Sequence, residues 1–189
     1  MAVSLRLILL AILGGILPAV FWLWFWLRED KRHPEPRAVI VKVFLAGGLV
    51  VLPAYFLQRA LAGLGLTLEG NLVLVVLVWA TIEEILKYLA VHAAGFHRKE
   101  YDEPVDAMIY LVTGALGFAA IENALFMLNA LYQGDGGLTF LITGQFRFIG
   151  ATLVHVVASG ILGGIIALGF WQSRSRQAIH LLVGLIPAI

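Results

Sequence analysis

The stretch Trp79-Ala-Thr-Ile-Glu-Glu-Ile-Leu-Lys-Tyr-Leu-Ala90 decides the fold, because it places three ionisable side chains inside a run that is otherwise apolar. The chain has 189 residues, of which 61% are hydrophobic and only 13% are charged. Soluble domains carry roughly 25% charged residues, so this composition excludes an ordinary soluble domain. The sequence therefore indicates an integral membrane protein.

Five apolar runs are long enough to cross a bilayer, since each reaches the roughly 20 residues that a spanning helix needs. They cover residues 3–27, 38–62, 71–94, 105–130 and 139–171. A sixth run, 179–189, is too short to cross. We therefore predict an all-α polytopic membrane helix bundle with five full spans plus a partial sixth. Residues 1–189 form a single membrane-embedded domain, which either is truncated at its carboxyl terminus or dips into the membrane there.

Basic residues collect in alternate loops and predict the orientation of the bundle. They are Arg28, Lys31, Arg32 and Arg37 after the first run, His97, Arg98 and Lys99 after the third, and Arg174 and Arg176 after the fifth. Positively charged loops face the cytoplasm, which places the amino terminus on the extracytoplasmic side.

The net charge of +1 gives no reason to expect a nucleic-acid partner. The absence of cysteine excludes disulfides.

Glu83, Glu84 and Lys87 lie deep in the third run. The two glutamates are roughly 18 to 20 Å along the helix from Asn71, near the bilayer midplane. Each such residue facing lipid costs roughly 2.5 to 3.5 kcal/mol, so all three must face protein or a water-filled cavity. Lys87 lies at i+4 and i+3 from the two glutamates. Because one lysine balances only one carboxylate, the remaining pair predicts acid/base chemistry.

The fourth and fifth runs carry further polar groups at matching depth. Glu122 and Arg147 lie roughly 12 Å from the outer ends of their helices, and His155 roughly 24 Å, which brackets the depth of Glu83. We expect the four side chains to converge in one layer. Two structural alternatives stay open: Arg147 as a counter-ion to Glu122, and His155 as an interhelical hydrogen bonder.

Two other features have structural explanations. Asp102-Glu-Pro-Val-Asp106 opens the fourth run, where a proline at the first helical position and acids in the first turn favour helix capping. Small residues within spans predict close helix packing. The glycines assigned this role are Gly114, Gly117, Gly160, Gly163 and Gly164.

These motifs together resemble the PrsW intramembrane proteases. Glu83-Glu-Ile-Leu-Lys87 is similar to their E-E-x-x-K motif and Phe118-Ala-Ala-Ile-Glu-Asn123 to their F-x-x-x-E-N motif. Asp102 to Asp106 resembles their acidic helix start, and Arg147 with His155 resembles the following block. The resemblance covers residues 71–167 and departs from the family in one respect. A further span with a second histidine and an asparagine does not appear before the chain ends.

The resemblance implies a protease related to the CAAX prenyl endopeptidases and bacteriocin-processing membrane proteins. It implies a cytoplasmic membrane of a bacterium or archaeon, and a single-span membrane protein, such as an anti-sigma factor, as substrate. Peptide hydrolysis needs a base for water and donors for the oxyanion. Seven residues form the predicted catalytic set: Glu83, Glu84, Lys87, Glu122, Asn123, Arg147 and His155.

We assign the general base to Glu83 or Glu84, with Lys87 fixing which of them is charged. The other four residues are assigned to stabilising the oxyanion, directly or through a neighbour. His155 and Asn123 would donate to it, Glu122 would orient His155, and Arg147 would balance Glu122.

A metal-dependent variant stays open. Glu83, Glu122 and His155 offer three O and N ligands with a fourth position for water on zinc, although no H-E-x-x-H motif supports it and we favour the metal-free glutamate. A proton- or cation-coupled transporter and a non-catalytic scaffold are the other hypotheses. The short chain without an internal repeat argues against the transporter.

Overall fold

The fold is described by a computed structural model that covers residues 5–28, 34–63, 71–132, 142 and 146–189. The helices are α1 (Leu5–Leu27), α2 (Arg37–Leu49), α3 (Val51–Leu61), α4 (Leu72–Val91), α5 (Pro104–Tyr132), α6 (Thr152–Leu168) and α7 (Arg174–Ala188). One turn of π-helix continues α4 over His92–Phe96, and another precedes α6 over Arg147–Ala151. No strand occurs in the described ranges, so the all-α prediction is confirmed.

Four stretches of helix are long and apolar enough to cross a membrane. They are Leu5–Leu27, Arg37–Leu61, Pro104–Tyr132 and Ile149–Leu168. These correspond to four of the five predicted spans. The predicted third span coincides with α4, which has 20 residues but contains Glu83, Glu84 and Lys87. Its crossing of the bilayer and the extracytoplasmic amino terminus stay predictions, and residues 139–141 at the start of the predicted fifth span lie outside the described ranges.

The second span is interrupted where α2 gives way to α3. Pro53 lies in the first turn of α3 and has no backbone N–H. Its ring would clash with the carbonyl of Leu49 in a continuous helix, which explains why α2 ends at that residue. The helix that follows the interruption, α3, carries Gln58.

The central helix of the bundle is α5, because 72% of its most apolar window is buried, against 22% for α1 and 28% for the span that contains α6. It packs against α1, α2, α4 and α6. Its buried surface contains small residues that let neighbouring backbones approach closely. These include Gly114, Ala115, Gly117, Ala119 and Ala120. The helix that carries Glu122 and Asn123 is therefore held on several sides.

Glycine contacts fix the spacing between these helices. A Cβ atom on Gly117 would lie 1.9 Å from the carbonyl oxygen of Phe44 in α2, and one on Gly163 would lie 2.6 Å from the Cα of Met108. A Cβ on Gly114 would lie 2.4 Å from the Cγ2 of Val91. The predicted close packing is confirmed at these three glycines.

The same prediction is wrong at two other glycines in α6. A Cβ atom on Gly160 would meet only an ordinary van der Waals contact, at 3.7 Å from Val112. No heavy atom of the described structure lies within 4 Å of a Cβ on Gly164. These two positions lie on parts of α6 that no neighbouring backbone among the described residues approaches.

The start of α5 is capped as the sequence indicated. The buried carboxylate of Asp106 accepts hydrogen bonds from the backbone N–H groups of Asp102 at 3.0 Å and Glu103 at 2.7 Å. These contacts satisfy donors that the first turn of a helix leaves free. Capping therefore accounts for Asp106, and the acidic stretch stands apart from the deeper polar layer.

We predict that Gly117→Ala destabilises the bundle by about 1 to 3 kcal/mol, because the new methyl group would force α2 and α5 apart. The measurement is the free energy of unfolding of the purified protein in mixed detergent micelles. Gly164→Ala is the matched control, since its methyl group enters open space. Equal stability of the two variants would contradict the packing of α2 on α5.

Candidate active site

Three helices bring Glu83, Glu122 and His155 together. A carboxylate oxygen from each glutamate and a ring nitrogen of His155 all lie within 4.8 Å of one another. These residues come from α4, α5 and α6, so only the tertiary fold unites them. The side chains of Glu122 and His155 are 19% and 11% exposed, which leaves the group at the edge of the buried layer. The convergence expected from helix depth is present.

Lys87 is the centre of the buried half of the layer. Its ammonium donates to Glu84, and the two side chains are only 1% and 5% exposed. The same nitrogen lies 3.1 Å from the Nδ1 of His155 and 5.1 Å from the centre of the Phe118 ring. The hydroxyl of Ser159 donates to the second oxygen of Glu84 at 3.2 Å. Lys87 therefore pairs with Glu84, and both oxygens of that carboxylate are occupied.

Glu83 has a different environment from its neighbour. Its Oε1 accepts a hydrogen bond from the side-chain amide of Gln58 at 2.9 Å, and the residue is half-buried. Gln58 lies on α3 and holds the carboxylate in one orientation. The described structure shows no hydrogen bond to the other oxygen of Glu83, so that oxygen is available to a water molecule.

Arg147 contacts two adjacent residues of α5 with one guanidinium group. It donates through Nη2 to Glu122 and through Nε to the Oδ1 of Asn123 at 2.8 Å. The guanidinium also lies 3.7 Å from the centre of the Phe126 ring. Arg147 begins the π-helical turn before α6, a local irregularity that is common at functional sites. The contact with Glu122 is the one expected of a counter-ion.

Asn123 faces into the bundle, and its role as an oxyanion donor stays a prediction. It is 2% exposed, and its side-chain amide donates to the hydroxyl of Thr152 at 3.0 Å. That hydroxyl in turn donates to the backbone carbonyl of Arg147 at 3.0 Å. These contacts tie α5 to the start of α6. Asn123 therefore positions Arg147 in the described structure and makes no direct approach to the group around Glu83.

The neighbours of His155 determine which ring nitrogen carries its proton. Its Nδ1 faces the ammonium of Lys87, which can only donate, so Nδ1 accepts that hydrogen bond. The proton of the neutral ring is then on Nε2, which lies 3.2 Å from a carboxylate oxygen of Glu122. Lys87, His155 and Glu122 form a directed chain of hydrogen bonds. Glu122 thereby orients the imidazole, as the sequence suggested.

The ionised groups of the layer leave a negative charge. Glu83, Glu84 and Glu122 contribute three negative charges, while Lys87 and Arg147 contribute two positive charges, so the sum is −1 with a neutral histidine. Net charge in a low-dielectric site is costly. Accepting one proton at Glu83 makes the layer neutral. Because a hydroxide formed from water would carry the same negative charge, the charge balance alone does not select the general base.

The same three side chains fit zinc by type and spacing. Two carboxylates and one imidazole are usual zinc ligands, and the 3.2 Å between His155 Nε2 and Glu122 is close to the roughly 3.3 Å edge of a tetrahedral zinc site. The direction of the hydrogen bond from Lys87 to His155 sets a condition for zinc binding. Zinc would need the lone pair of Nε2, whereas the contact with Lys87 places a proton there. A metal-bound His155 therefore requires that Lys87 stop donating to it.

Four contributors to the layer were absent from the predicted set. They are Gln58, Phe118, Thr152 and Ser159. A signal for two of them was present, because Thr152 and Ser159 lie three residues before and four residues after His155 and share its face of the helix. Gln58 is a polar residue in an apolar run, but its neighbour in space depends on the interruption between α2 and α3.

We predict that Lys87→Met lowers the free energy of unfolding by about 3 to 5 kcal/mol, because Glu84 would remain as an unpaired buried charge. Adding Glu84→Gln to this variant should restore part of the loss. The measurement is detergent-based unfolding of the three purified proteins. A double variant no more stable than Lys87→Met would show that the pair is not the source of the effect.

Comparison with known proteins agrees with this site. A family described as "PrsW family intramembrane metalloprotease" matches residues 35–189. Three relatives, each called Protease PrsW, come from Geobacillus kaustophilus, Oceanobacillus iheyensis and Bacillus subtilis, with identities of 33%, 29% and 27%. The aligned parts cover 61%, 86% and 86% of this chain. No solved structure gives a significant match.

The chain spans 51% of the length of the Geobacillus relative and about two thirds of the other two, at 68% and 67%. The matched family segment contains every residue of the polar layer, from Gln58 to Ser159. Together with the apolar helices, the bacterial relatives identify an integral membrane protein. Because the family match covers more than half of the sequence, this chain belongs to the PrsW family of intramembrane proteases.

Proposed function

We propose that this chain is an intramembrane endopeptidase that hydrolyses a peptide bond of a membrane-anchored protein, with Glu83 as the general base. The observation that carries the proposal is the convergence of Glu83, Glu122 and His155 at the edge of a buried polar layer. Membership of the family supports a peptidase. A single-span anti-sigma factor is the substrate class that we infer from the family resemblance.

The contacts favour Glu83 over Glu84 as the base. Both oxygens of Glu84 accept hydrogen bonds, from Lys87 and Ser159, and its side chain is 5% exposed. Glu83 has one oxygen fixed by Gln58, and its other oxygen has no hydrogen-bond partner among the described residues. Glu83 is therefore the carboxylate that removes a proton from water and returns it to the leaving amine.

The oxyanion of the tetrahedral intermediate needs donors beside this base. His155 lies within 4.8 Å of Glu83 and can provide such a donor through Nε2–H, the tautomer that the contact with Lys87 favours. Arg147 supplies positive charge at the partly exposed edge, where its side chain is 18% exposed. Asn123 acts through Arg147 as a positioning residue.

A zinc-dependent peptidase is the second candidate. Its support is the ligand spacing of Glu83, Glu122 and His155, together with the family description as metalloprotease. Those three residues would hold the ion, which when bound supplies Lewis-acid activation of water and the substrate carbonyl. In either case Lys87 and Arg147 keep the carboxylates in place.

We expect Glu83→Gln to reduce cleavage by roughly 10² to 10⁴-fold, since the amide cannot accept a proton. The measurement is co-expression with a single-span anti-sigma factor tagged at both ends, followed by immunoblotting of the two fragments. Glu84→Gln and His155→Ala are compared in the same assay. Glu100→Gln, which changes a loop carboxylate outside the layer, is the control for charge and should cleave normally.

Equal amounts of each variant in the membrane fraction separate catalysis from folding. Cleavage at the wild-type rate in Glu83→Gln would remove the assignment of the base. A transporter or a scaffold would leave both tags on one polypeptide in every sample, including the wild type. The assay therefore separates a peptidase from the two other functional classes.

We expect chelation to leave the activity of the metal-free enzyme unchanged, because Glu83 activates water by itself. Purified protein would be dialysed against a strong zinc chelator and its zinc content measured by mass spectrometry before the cleavage assay. Glu122→Gln should then change stability without changing metal content. One zinc per chain, lost together with activity and restored by added zinc, would establish the second candidate instead.

A further inference from the structure

A second site lies at the other end of the helices that carry the polar layer. It is a cavity of about 630 Å³, bounded by the end of α4, the end of α6 and the first turns of α7. His92 lies nine residues beyond Glu83, or roughly 13 Å along the helix axis. The cavity is thus separate from the proposed active site. Its volume falls within the range of small-molecule sites, roughly 300 to 1,000 Å³.

The charged lining of this cavity is basic. Arg174, Gln177, His92 and His97 line it, and among the described residues no acidic side chain does. Arg174 forms no ion pair within the part of the chain that the structure describes. No side chain caps the first turn of α7, which begins at Arg174, so its backbone N–H groups also face this end. These features favour an anionic group.

His97 is held by its own helix end. Its Nδ1 lies 2.9 Å from the backbone carbonyl of His92 and donates to it, and the two imidazole rings are 4.4 Å apart and nearly perpendicular. The Nε2 of the neutral His97 ring therefore carries a lone pair, which can accept a hydrogen bond but cannot donate one. The acidic residues nearest in sequence, Glu100 and Asp102, belong to the following loop and do not line the cavity.

The remaining walls are aromatic and apolar. Phe96 stacks on Tyr101 with ring centres 4.6 Å apart, and Phe170 packs edge-on against Tyr101 at 5.1 Å. Ile166 and Leu181 complete this side. Burial, together with Asp106 and Tyr88, raises the pKa of Tyr101 to about 12, so its hydroxyl stays protonated. One region of the cavity therefore suits a charged oxygen group and another suits hydrocarbon.

The placement of the cavity is that of a membrane interface. It lies beside the loops after α4 and α6, which the distribution of basic residues assigns to the cytoplasmic side. Anionic lipids are concentrated on that side, and basic pockets between spanning helices bind their head groups. A free anion would use the basic groups but leave the aromatic and aliphatic walls without a partner.

We propose that this cavity binds the phosphate head group and adjoining acyl chain of an anionic phospholipid. Arg174 and the backbone N–H groups of the first turn of α7 contact the phosphate, and the walls formed by Phe96, Phe170 and Leu181 contact the hydrocarbon. The proposal stands independently of the peptidase function, because the cavity shares no residue with the polar layer.

The test measures lipid binding to the full purified chain in a neutral detergent by native mass spectrometry. The probes are phosphatidylglycerol, phosphatidylcholine and inorganic phosphate. We expect phosphatidylglycerol to bind at least fivefold more tightly than phosphatidylcholine. Arg174→Gln should weaken its binding roughly tenfold or more, as expected for loss of a charge-assisted hydrogen bond.

Two further variants make the result specific. Arg176→Gln removes the same charge from the same helix turn but does not line the cavity, so it should change binding by less than twofold. Ala178→Trp fills the cavity without changing charge and should also abolish selective binding. Equal loss in Arg174→Gln and Arg176→Gln would overturn the site. Inorganic phosphate that competes fully and depends on Arg174 would overturn the lipid assignment in favour of a free-anion site.

Discussion

The structure depends on one constraint, which is that buried ionisable groups must be paired inside the bundle. Lys87 and Glu84 are almost completely buried and bonded to each other. Leaving one such charge unpaired costs several kcal/mol, more than most single contacts contribute. The pair therefore fixes which face of α4 points inward. Once that face is fixed, Glu83 on the same helix lies at the edge of the polar layer with one oxygen exposed to water.

The packing of α5 makes this layer possible. Contacts such as that of Gly117 with Phe44 bring α2 against α5 at backbone distance on one side. On another side, α5 presents Glu122 and Asn123 to Arg147. Small residues thus occupy one side of α5, and Glu122 with Asn123 occupies another. Close packing on the apolar side gives the rigidity that a preorganised group of hydrogen bonds requires.

Sequence reasoning succeeded where distance along a helix axis was enough. The rise per residue places Glu83, Glu122 and His155 at similar depth, and their convergence followed from that. Sequence reasoning could not predict how each helix is rotated about its own axis. Lys87 can reach i−3 or i−4, and only the packed bundle shows that Glu84 is its partner. For the same reason the inward direction of Asn123 and the approach of Gln58 were not predictable, since both depend on contacts between distant segments.

The direction of one hydrogen bond limits the chemistry of the layer. An ammonium group has no lone pair, so Lys87 can only donate to His155, and the imidazole then presents an N–H to Glu122. In that state His155 is a donor for developing negative charge. A cation at the same place would need the opposite tautomer and a different position or protonation state of Lys87. Lys87 also pairs with Glu84, whose second oxygen accepts from Ser159, so the tautomer of His155 is coupled to the environment of that buried carboxylate. The state of one buried ammonium thus sets whether His155 offers a proton or a lone pair to the other groups of the layer.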